Sequence, residues 1–540
     1  MTSITSPVEE QPVTSITSPV EEQPAEARSR RLPGFASWPA ARRNHWLLVG
    51  VAVCFAGYVL VAVGLRYPYT TDEAIYFSQV NPQAPDYAWV AWRAWGVPLV
   101  VAPVALLDLS LTGVRFYLVV VASLGIFLAF QPWLTVSRHP VAPVAAALFG
   151  GTSAAAYNGS LALPNLYSAL AAVAATGYFM NCRRGGDNYR RSLLGLAVAV
   201  AFAALVRPSD SVWLVLPLFL VWLGLSAWRR REVFAALAVG QIVGWAPWLV
   251  ESFLRFGDPF NRLHLSSASL GGTHLYPDVA MLRLYLRLWN TGSPQAVSLN
   301  VPPEFRGGAA TLTNVQLAPS GVLAVIWWIA LACALVAAVA GVALTRRTGR
   351  KGLAVVLVPL AVGVSVAFPY LFMMRYGQLR FLLPAIGLLA VPVAAGVLQI
   401  ARLRRAPLGM LGPAVAAILA LALIGVQVAA TGPYRETVER ADTAATVLLR
   451  ALRQAGVSQP CALFGEAPFN VTYQMKCETA ERIRQPGSEE PAAVTSARSR
   501  GLSVVVVLRR PAPAGTFLDG WRLAGDGGRS GRWSVYLAPA

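Results

Sequence analysis

The chain has 540 residues, 56% of them hydrophobic and only 13% charged, with a formal net charge of +19 and a mean hydropathy of +0.52. Such a composition excludes an ordinary water-soluble globular protein, because lipid must cover much of the surface. Nucleic acid is excluded as the source of the positive charge, since the arginines recur in short clusters between apolar stretches, as membrane topology signals do.

Residues 1–43 form a polar tail in which TSITSPVEEQP occurs twice, at 2–12 and 14–24. With almost nothing to bury, the tail is expected to be disordered. Arg28, Arg30, Arg31, Arg42 and Arg43 precede a first apolar run at about 46–65, which is long enough to cross a bilayer core of roughly 30 Å. It lacks a small-residue cleavage site and reads as a retained helix. Placing that arginine cluster in the cytoplasm fixes the remaining topology. Further spans are expected near 114–135, 141–157, 163–181, 192–206, 210–228, 233–253, 320–344, 352–370, 380–400 and 408–430, about eleven in all within a membrane domain of 44–430. Loops assigned to the cytoplasm carry Arg138, then Arg183, Arg184, Arg190 and Arg191, then Arg229 to Arg231, then Arg346 to Lys351, then Arg402 to Arg405. If the apolar run from Trp95 to Ser110 crossed the membrane, every later loop would flip. It is therefore read as an interfacial helix on the outer leaflet, with Trp89, Trp92 and Trp95 in the headgroup region.

Two external loops are then large, 66–113 and 254–319. After the last span, 431–540 reads as a small extracytoplasmic α/β domain with a helix from Arg435 to Ala455 and strands at CALFG, LSVVVVL and RWSVYLAP. Cys461 and Cys477 lie in an oxidising compartment and either close a short loop or stay as free thiols.

Chemistry concentrates at the outer ends of the helices. Asp72 and Glu73 follow the first span by a few residues. They read either as a helix start capped by Thr71 or Asp72, or as a reactive carboxylate pair. Arg207, in the turn RPSD, either snorkels to headgroups or binds an anion. In MMRYGQLRFLLPA, Arg375 and Arg380 stand on the same side, with Arg380 at a helix start. Arginines gathered where the positive-inside rule disfavours them suggest an anionic ligand such as a lipid phosphate.

The DE pair after the first helix, the interfacial helix, the basic residue with Pro between the fifth and sixth helices and the R-F-L-L-P-A helix start together resemble membrane glycosyltransferases of the GT-C fold. The similarity extends over about 44–400 and is greatest to bacterial relatives of protein O-mannosyltransferases and of the aminoarabinose transferases that modify lipid A. It implies transfer of a sugar from a polyprenyl-phosphate donor to a hydroxyl of a cell-envelope glycan, lipid or protein, at the outer face of a bacterial plasma membrane and with inversion. Asp72 would be the base and Glu73 the next candidate, with the donor phosphate held by Arg380 helped by Arg207 or Arg375. In YNGSLALPN, Asn165 stands where the resemblance leads one to expect a second carboxylate, and no obligatory metal or other cofactor is expected. The competing readings are a lipid transporter or flippase and a non-catalytic envelope scaffold.

Overall fold

The computed structural model describes residues 39–87, 89–137, 139–183, 188–269, 272–275, 280–291, 297–298, 321–344, 350–374, 376–402, 411–479, 483, 486–524 and 533–539. The tandem repeat, Arg138, Arg184, Arg375, Arg404, Arg405 and most of 292–320 lie outside them.

Among the described residues, eight helices are long and apolar enough to cross a membrane: Ala40–Ala62, Leu111–Val136, Tyr189–Val206, Arg231–Phe256, Val322–Gly341, Leu353–Phe372, Leu379–Ala401 and Leu411–Ala429. The other three expected spans are helical but differ in kind. The run expected at 141–157 breaks into Val141–Gly150 and Ser153–Asn158, because Thr152 turns out of the first helix and its Oγ1 accepts the Ala155 N–H as N-cap of the second. Pro208–Gly224 has 17 residues. Pro164–Cys182 is buried along almost its whole circumference, as expected for a helix apolar on every side. It packs against Leu111–Phe130, Tyr189–Val206 and Leu383–Ala401 and forms the axis of the bundle.

The run from Trp95 forms the helix Gly96–Leu106, whose 11 residues extend about 16 Å, half the hydrocarbon thickness. The tryptophans beside it differ from expectation. Only Trp92 is well exposed, whereas Trp89 and Trp95 both donate indole N–H groups to Glu251, at 2.8 and 2.9 Å. A buried carboxylate needs such donors more than the headgroups need an aromatic belt.

One close helix approach rests on two glycines four residues apart. A Cβ on Gly240 would stand 2.7 Å from the Ala197 carbonyl oxygen, and one on Gly244 would stand 2.3 Å from that of Ala201. Small residues at this spacing let Arg231–Phe256 seat its backbone against Tyr189–Val206.

The apolar helix ending at Ala429 is followed at once by Thr431–Gln454, which leads into a five-stranded sheet. Its strand order is Glu478–Thr479, Cys461–Gly465, Ser503–Leu508, Ser534–Leu537, Arg522–Ala524, with the first three strands parallel and the last two antiparallel to their neighbours. The period of two in SVVVVL sends Val505 and Val507 toward Leu448 and Leu452 on one face, and Val504 and Val506 toward Val494 and Leu518 on the other. Cys461 and Cys477 are bridged, with Cα atoms 4.7 Å apart, so neither is a free thiol.

Gly244→Ala is expected to lower stability by about 1–3 kcal/mol, since the clash is with a backbone oxygen that cannot rotate away. Thermal melting of the purified variant in detergent checks this, and an unchanged Tm would mean that the helices do not meet at Gly244.

Candidate active site

The site grows from a capped turn. Thr70, one residue before the caps expected from sequence, is N-cap of the helix Thr71–Ser78. Its Oγ1 accepts the Glu73 N–H at 3.2 Å, and its own N–H donates to Glu73 Oε2 at 2.9 Å, forming a capping box. Glu73 is fully buried, with Arg115 donating to both of its oxygens and Ala162 N–H donating to Oε1 at 2.8 Å. Arg115 is also fully buried and spends its other N–H groups on the carbonyls of Tyr67, Pro68 and Ser160. Glu73 was a catalytic candidate from the sequence, but every oxygen it has is engaged and it does not line the cavity described next. Its geometry is that of a structural anchor.

Asp72, its neighbour, points the other way, into a cavity of about 630 Å³ whose walls include Tyr76, Arg93, Asn165, Arg207 and Arg380. Arg93 meets Asp72 Oδ1 at 2.8 Å and Arg380 meets Oδ2 at 2.9 Å, with the carboxylate side chain 35% exposed to the cavity. Enclosure by protein raises the carboxyl pKa, but Arg93 and then Arg380 outweigh it and bring the value down to about 2. Asp72 is therefore a fixed anion throughout the physiological range.

Arg207 occupies the junction between Tyr189–Val206 and Pro208–Gly224. Its Nε meets Asp210 Oδ1 at 3.3 Å, and its guanidinium lies 5.1 Å from the Tyr370 ring centroid and 4.8 Å from that of Phe381. Asp210 is held in turn by the hydroxyls of Ser168 and Tyr370. Ring faces and a carboxylate fix the plane of the fork, while its terminal nitrogens donate to nothing among the described residues and open onto the cavity. Asp72, Arg207 and Arg380 thus converge on one cavity, as the sequence reading grouped them. Arg375 lies outside the described residues.

Several site residues were not singled out from the sequence. Arg93 supplies one half of the grip on Asp72. Arg262, fully buried, holds the loop that carries Arg93: it donates to the carbonyls of Ala91 at 3.0 Å and Arg93 at 2.8 Å and pairs with Glu251 at 2.8 Å. The C-terminal domain reaches the same end of the bundle, where the helix Phe469–Met475 packs on Thr71–Ser78. Asn81 donates to Tyr473 Oη at 2.9 Å, and Lys476 pairs with Asp108 at 2.6 Å.

Solved structures share this architecture. ArnT from Cupriavidus metallidurans bound to undecaprenyl phosphate is similar over 91% of this chain and 97% of its own, with a TM-score of 0.55 and 14% identity, and its apo form gives 0.57 over 90% and 98%. The arabinofuranosyltransferase AftD from Mycobacteria gives 0.51 at 14% identity, covering 91% of this chain and 40% of AftD. The chain has the GT-C fold. The resemblance carried by a handful of short motifs is thus met by nearly the whole chain, and the GT-C bundle here ends in a small sheet domain. No protein-family model and no curated protein sequence matches the chain.

Removing the partner of a buried carboxylate leaves an uncompensated charge, so Arg115→Met is expected to cost about 3–5 kcal/mol. Comparing the Tm of Arg115→Met with that of an Arg115→Met, Glu73→Leu double variant checks the cause, because the second change should restore part of the loss. A double variant no more stable than the single one would mean that Glu73 is not what Arg115 neutralises.

Proposed function

We propose that the chain is a membrane glycosyltransferase that moves a sugar from a polyprenyl phosphate to an acceptor hydroxyl, with inversion at the anomeric carbon. One observation carries this reading. Three residues of the cavity wall, Arg93, Arg380 and Asn165, each keep a buried side-chain N–H donor (Nε, Nε and Nδ2) without a partner, and no described wall residue has a buried side-chain acceptor left without one. Such a wall is completed by a ligand rich in oxygen and carrying negative charge. The tryptophans of the same wall, Trp92, Trp213, Trp245 and Trp248, suit an apolar chain or a sugar face. The ArnT structure, similar in fold, is one bound to undecaprenyl phosphate, a ligand of this chemistry.

In the proposed step the acceptor oxygen bonds to the anomeric carbon as its proton passes to Asp72. The bond between that carbon and the phosphate oxygen breaks, and its electron pair leaves on the polyprenyl phosphate. The leaving group departs as an anion and needs no general acid, in contrast to glycoside hydrolysis. It needs fixed positive charge, supplied by Arg207 and Arg380. The sequence ranks Arg380 first, but Arg207 is the better candidate here, because Arg380 spends a terminal nitrogen on Asp72 whereas Arg207 meets Asp210 through Nε and keeps both terminal nitrogens without a partner among the described residues. The reading assigns no metal, because Asn165 stands where a second carboxylate would be expected and the adjacent Asp72 and Glu73 are poorly spaced as metal ligands. The cavity and the C-terminal domain are assigned to the non-cytoplasmic face, with the N-terminus in the cytoplasm. A reporter fused after Ala430 that gives a cytoplasmic signal would overturn that orientation.

Asp72→Asn is expected to lower turnover by about 10²- to 10⁴-fold with donor affinity retained, whereas Arg207→Ala is expected to weaken donor binding by about 2–5 kcal/mol. A transporter or scaffold would be indifferent to Asp72→Asn, so wild-type turnover in that variant sinks the reading. The pH dependence has a definite sign. Asp72 is active as the anion, so kcat/KM should persist in acid until pH falls through its low pKa of about 2. Arg93→Gln removes the leading charge that depresses it, so the acid limb should move to higher pH. An unshifted limb in Arg93→Gln would rule out Asp72 as the titrating base.

A further inference from the structure

The cavity wall includes a buried polar side chain to which no task has been given. Asn165 is 2% exposed, lines the cavity and has no hydrogen-bond partner for its Nδ2. It is the second residue of the 19-residue axial helix Pro164–Cys182, whose N-terminus no side chain caps and whose first residue, Pro164, also lines the cavity. An unpaired amide next to an uncapped helix start is a site built to donate hydrogen bonds to oxygen.

Its neighbours in sequence fix where it stands. Three residues before it, Ala162 N–H is bonded to Glu73, which adjoins Asp72. Three residues after it, Ser168 donates to Asp210, which pairs with Arg207. Asn165 is thus tied, three residues to either side, to the buried pair behind Asp72 and to the pair that braces Arg207, and it lines the same cavity as Asp72 and Arg207. In the reaction above, that cavity holds the sugar being transferred.

Charge narrows the class of sugar. Among the described residues, Arg93, Arg207 and Arg380 line the cavity with Asp72, and Asp210 pairs with Arg207 behind them, so three guanidiniums against two carboxylates leave one positive charge in this described set. A phosphodiester carries one negative charge and uses that surplus. Of the two described carboxylates, Asp72 already has its charge matched by two arginines and Asp210 is held by Arg207, Ser168 and Tyr370, so an ammonium would find its attraction already offset at both. We infer that Asn165 is a specificity-determining residue that hydrogen-bonds the transferred sugar, and that this sugar is uncharged and hydroxyl-bearing rather than amine-bearing. The inference rests on the proposed glycosyl transfer and goes beyond it by naming the substrate class.

The test uses the purified full chain and measures its affinity for bare undecaprenyl phosphate, for undecaprenyl phosphate carrying mannose, glucose, galactose or arabinose, and for the same lipid carrying an amino-deoxypentose. At least one neutral sugar lipid is expected to bind the wild type more tightly than the bare lipid and the amino-sugar lipid do. Asn165→Ala should weaken that binding by about tenfold, the size of one lost hydrogen bond, while changing bare-lipid affinity less than twofold. Asn165→Asp, of nearly the same shape, should raise affinity for the amino-sugar lipid. Equal losses on bare and sugar-bearing lipid in Asn165→Ala, or no loss on either, would overturn the assignment while leaving glycosyl transfer standing, as would a wild type that prefers the amino sugar. A wild type that binds none of these lipids would bring down the glycosyltransferase reading and this inference with it. Melting temperatures of both variants serve as the folding control, and Asn165→Asp keeps the inference falsifiable should Asn165→Ala fold poorly.

Discussion

Everything at this end of the bundle hangs on the buried pair of Glu73 and Arg115. A carboxylate with no solvent at all is tolerable only if its lone pairs are filled, and here a guanidinium, the Ala162 amide and the Thr70 amide fill them. That requirement fixes three pieces of chain to one another: the start of the helix Thr71–Ser78, the start of the span Leu111–Phe130 and the turn before the axial helix. Asp72 gains its direction from this. One residue away on a helix means about a hundred degrees around the axis, so burying Glu73 on one side leaves Asp72 facing the cavity on another.

The second organising feature is Arg380, which pairs with Asp72 and in the proposed reaction also faces the phosphate. In the structure it pairs with Asp72 through one nitrogen and keeps Nε unpaired. In the proposed reaction Asp72 gains a proton as the phosphate gains charge, so negative charge passes from one side of Arg380 to the other. A guanidinium already between the two sites needs little movement to follow it, and fixed dipoles that need not reorganise are what make such stabilisation effective. Arg207, braced by Asp210 and two aromatic rings, supplies the immobile half of the field.

Much of the fold was legible in the sequence because its apolar runs are long and its arginine clusters periodic, and the strands around Val505 followed from uninterrupted β-branched residues. What misled was treating each expected span as uniform. A single threonine at 152, suited to capping, divides one run, and nothing in hydropathy marks it. At the site, Asp72 stood out as an acid beside a membrane helix, and Arg207 and Arg380 as arginines on the side that disfavours them. The same reasoning applied evenly would have raised Arg93, Arg115 and Arg262. Arg115 falls inside an expected span, and Arg93 and Arg262 fall in the long loops 66–113 and 254–319, where water could solvate a guanidinium. The pairings themselves were beyond reach. Arg380 and Asp72 are 308 residues apart, and one sequence contains no signal that joins them. Trp89 and Trp95 show the converse error, since a tryptophan near a membrane suggests an interfacial anchor until a buried carboxylate such as Glu251 claims its N–H.

The seat of the helix Phe469–Met475 on Thr71–Ser78 bears on how the protein is made. Chains emerge from the ribosome N-terminus first, so the helix bearing Asp72 enters the membrane environment early, yet Asn81 finds Tyr473 and Asp108 finds Lys476 only when the last domain has arrived. Until then that helix lacks the partners on its far side, and the cavity still waits for Arg380. A chain interrupted during synthesis, even one holding most of its spans, would present an incomplete site to its substrates. In the proposed reaction, competence would thus wait for the domain that carries Tyr473 and Lys476.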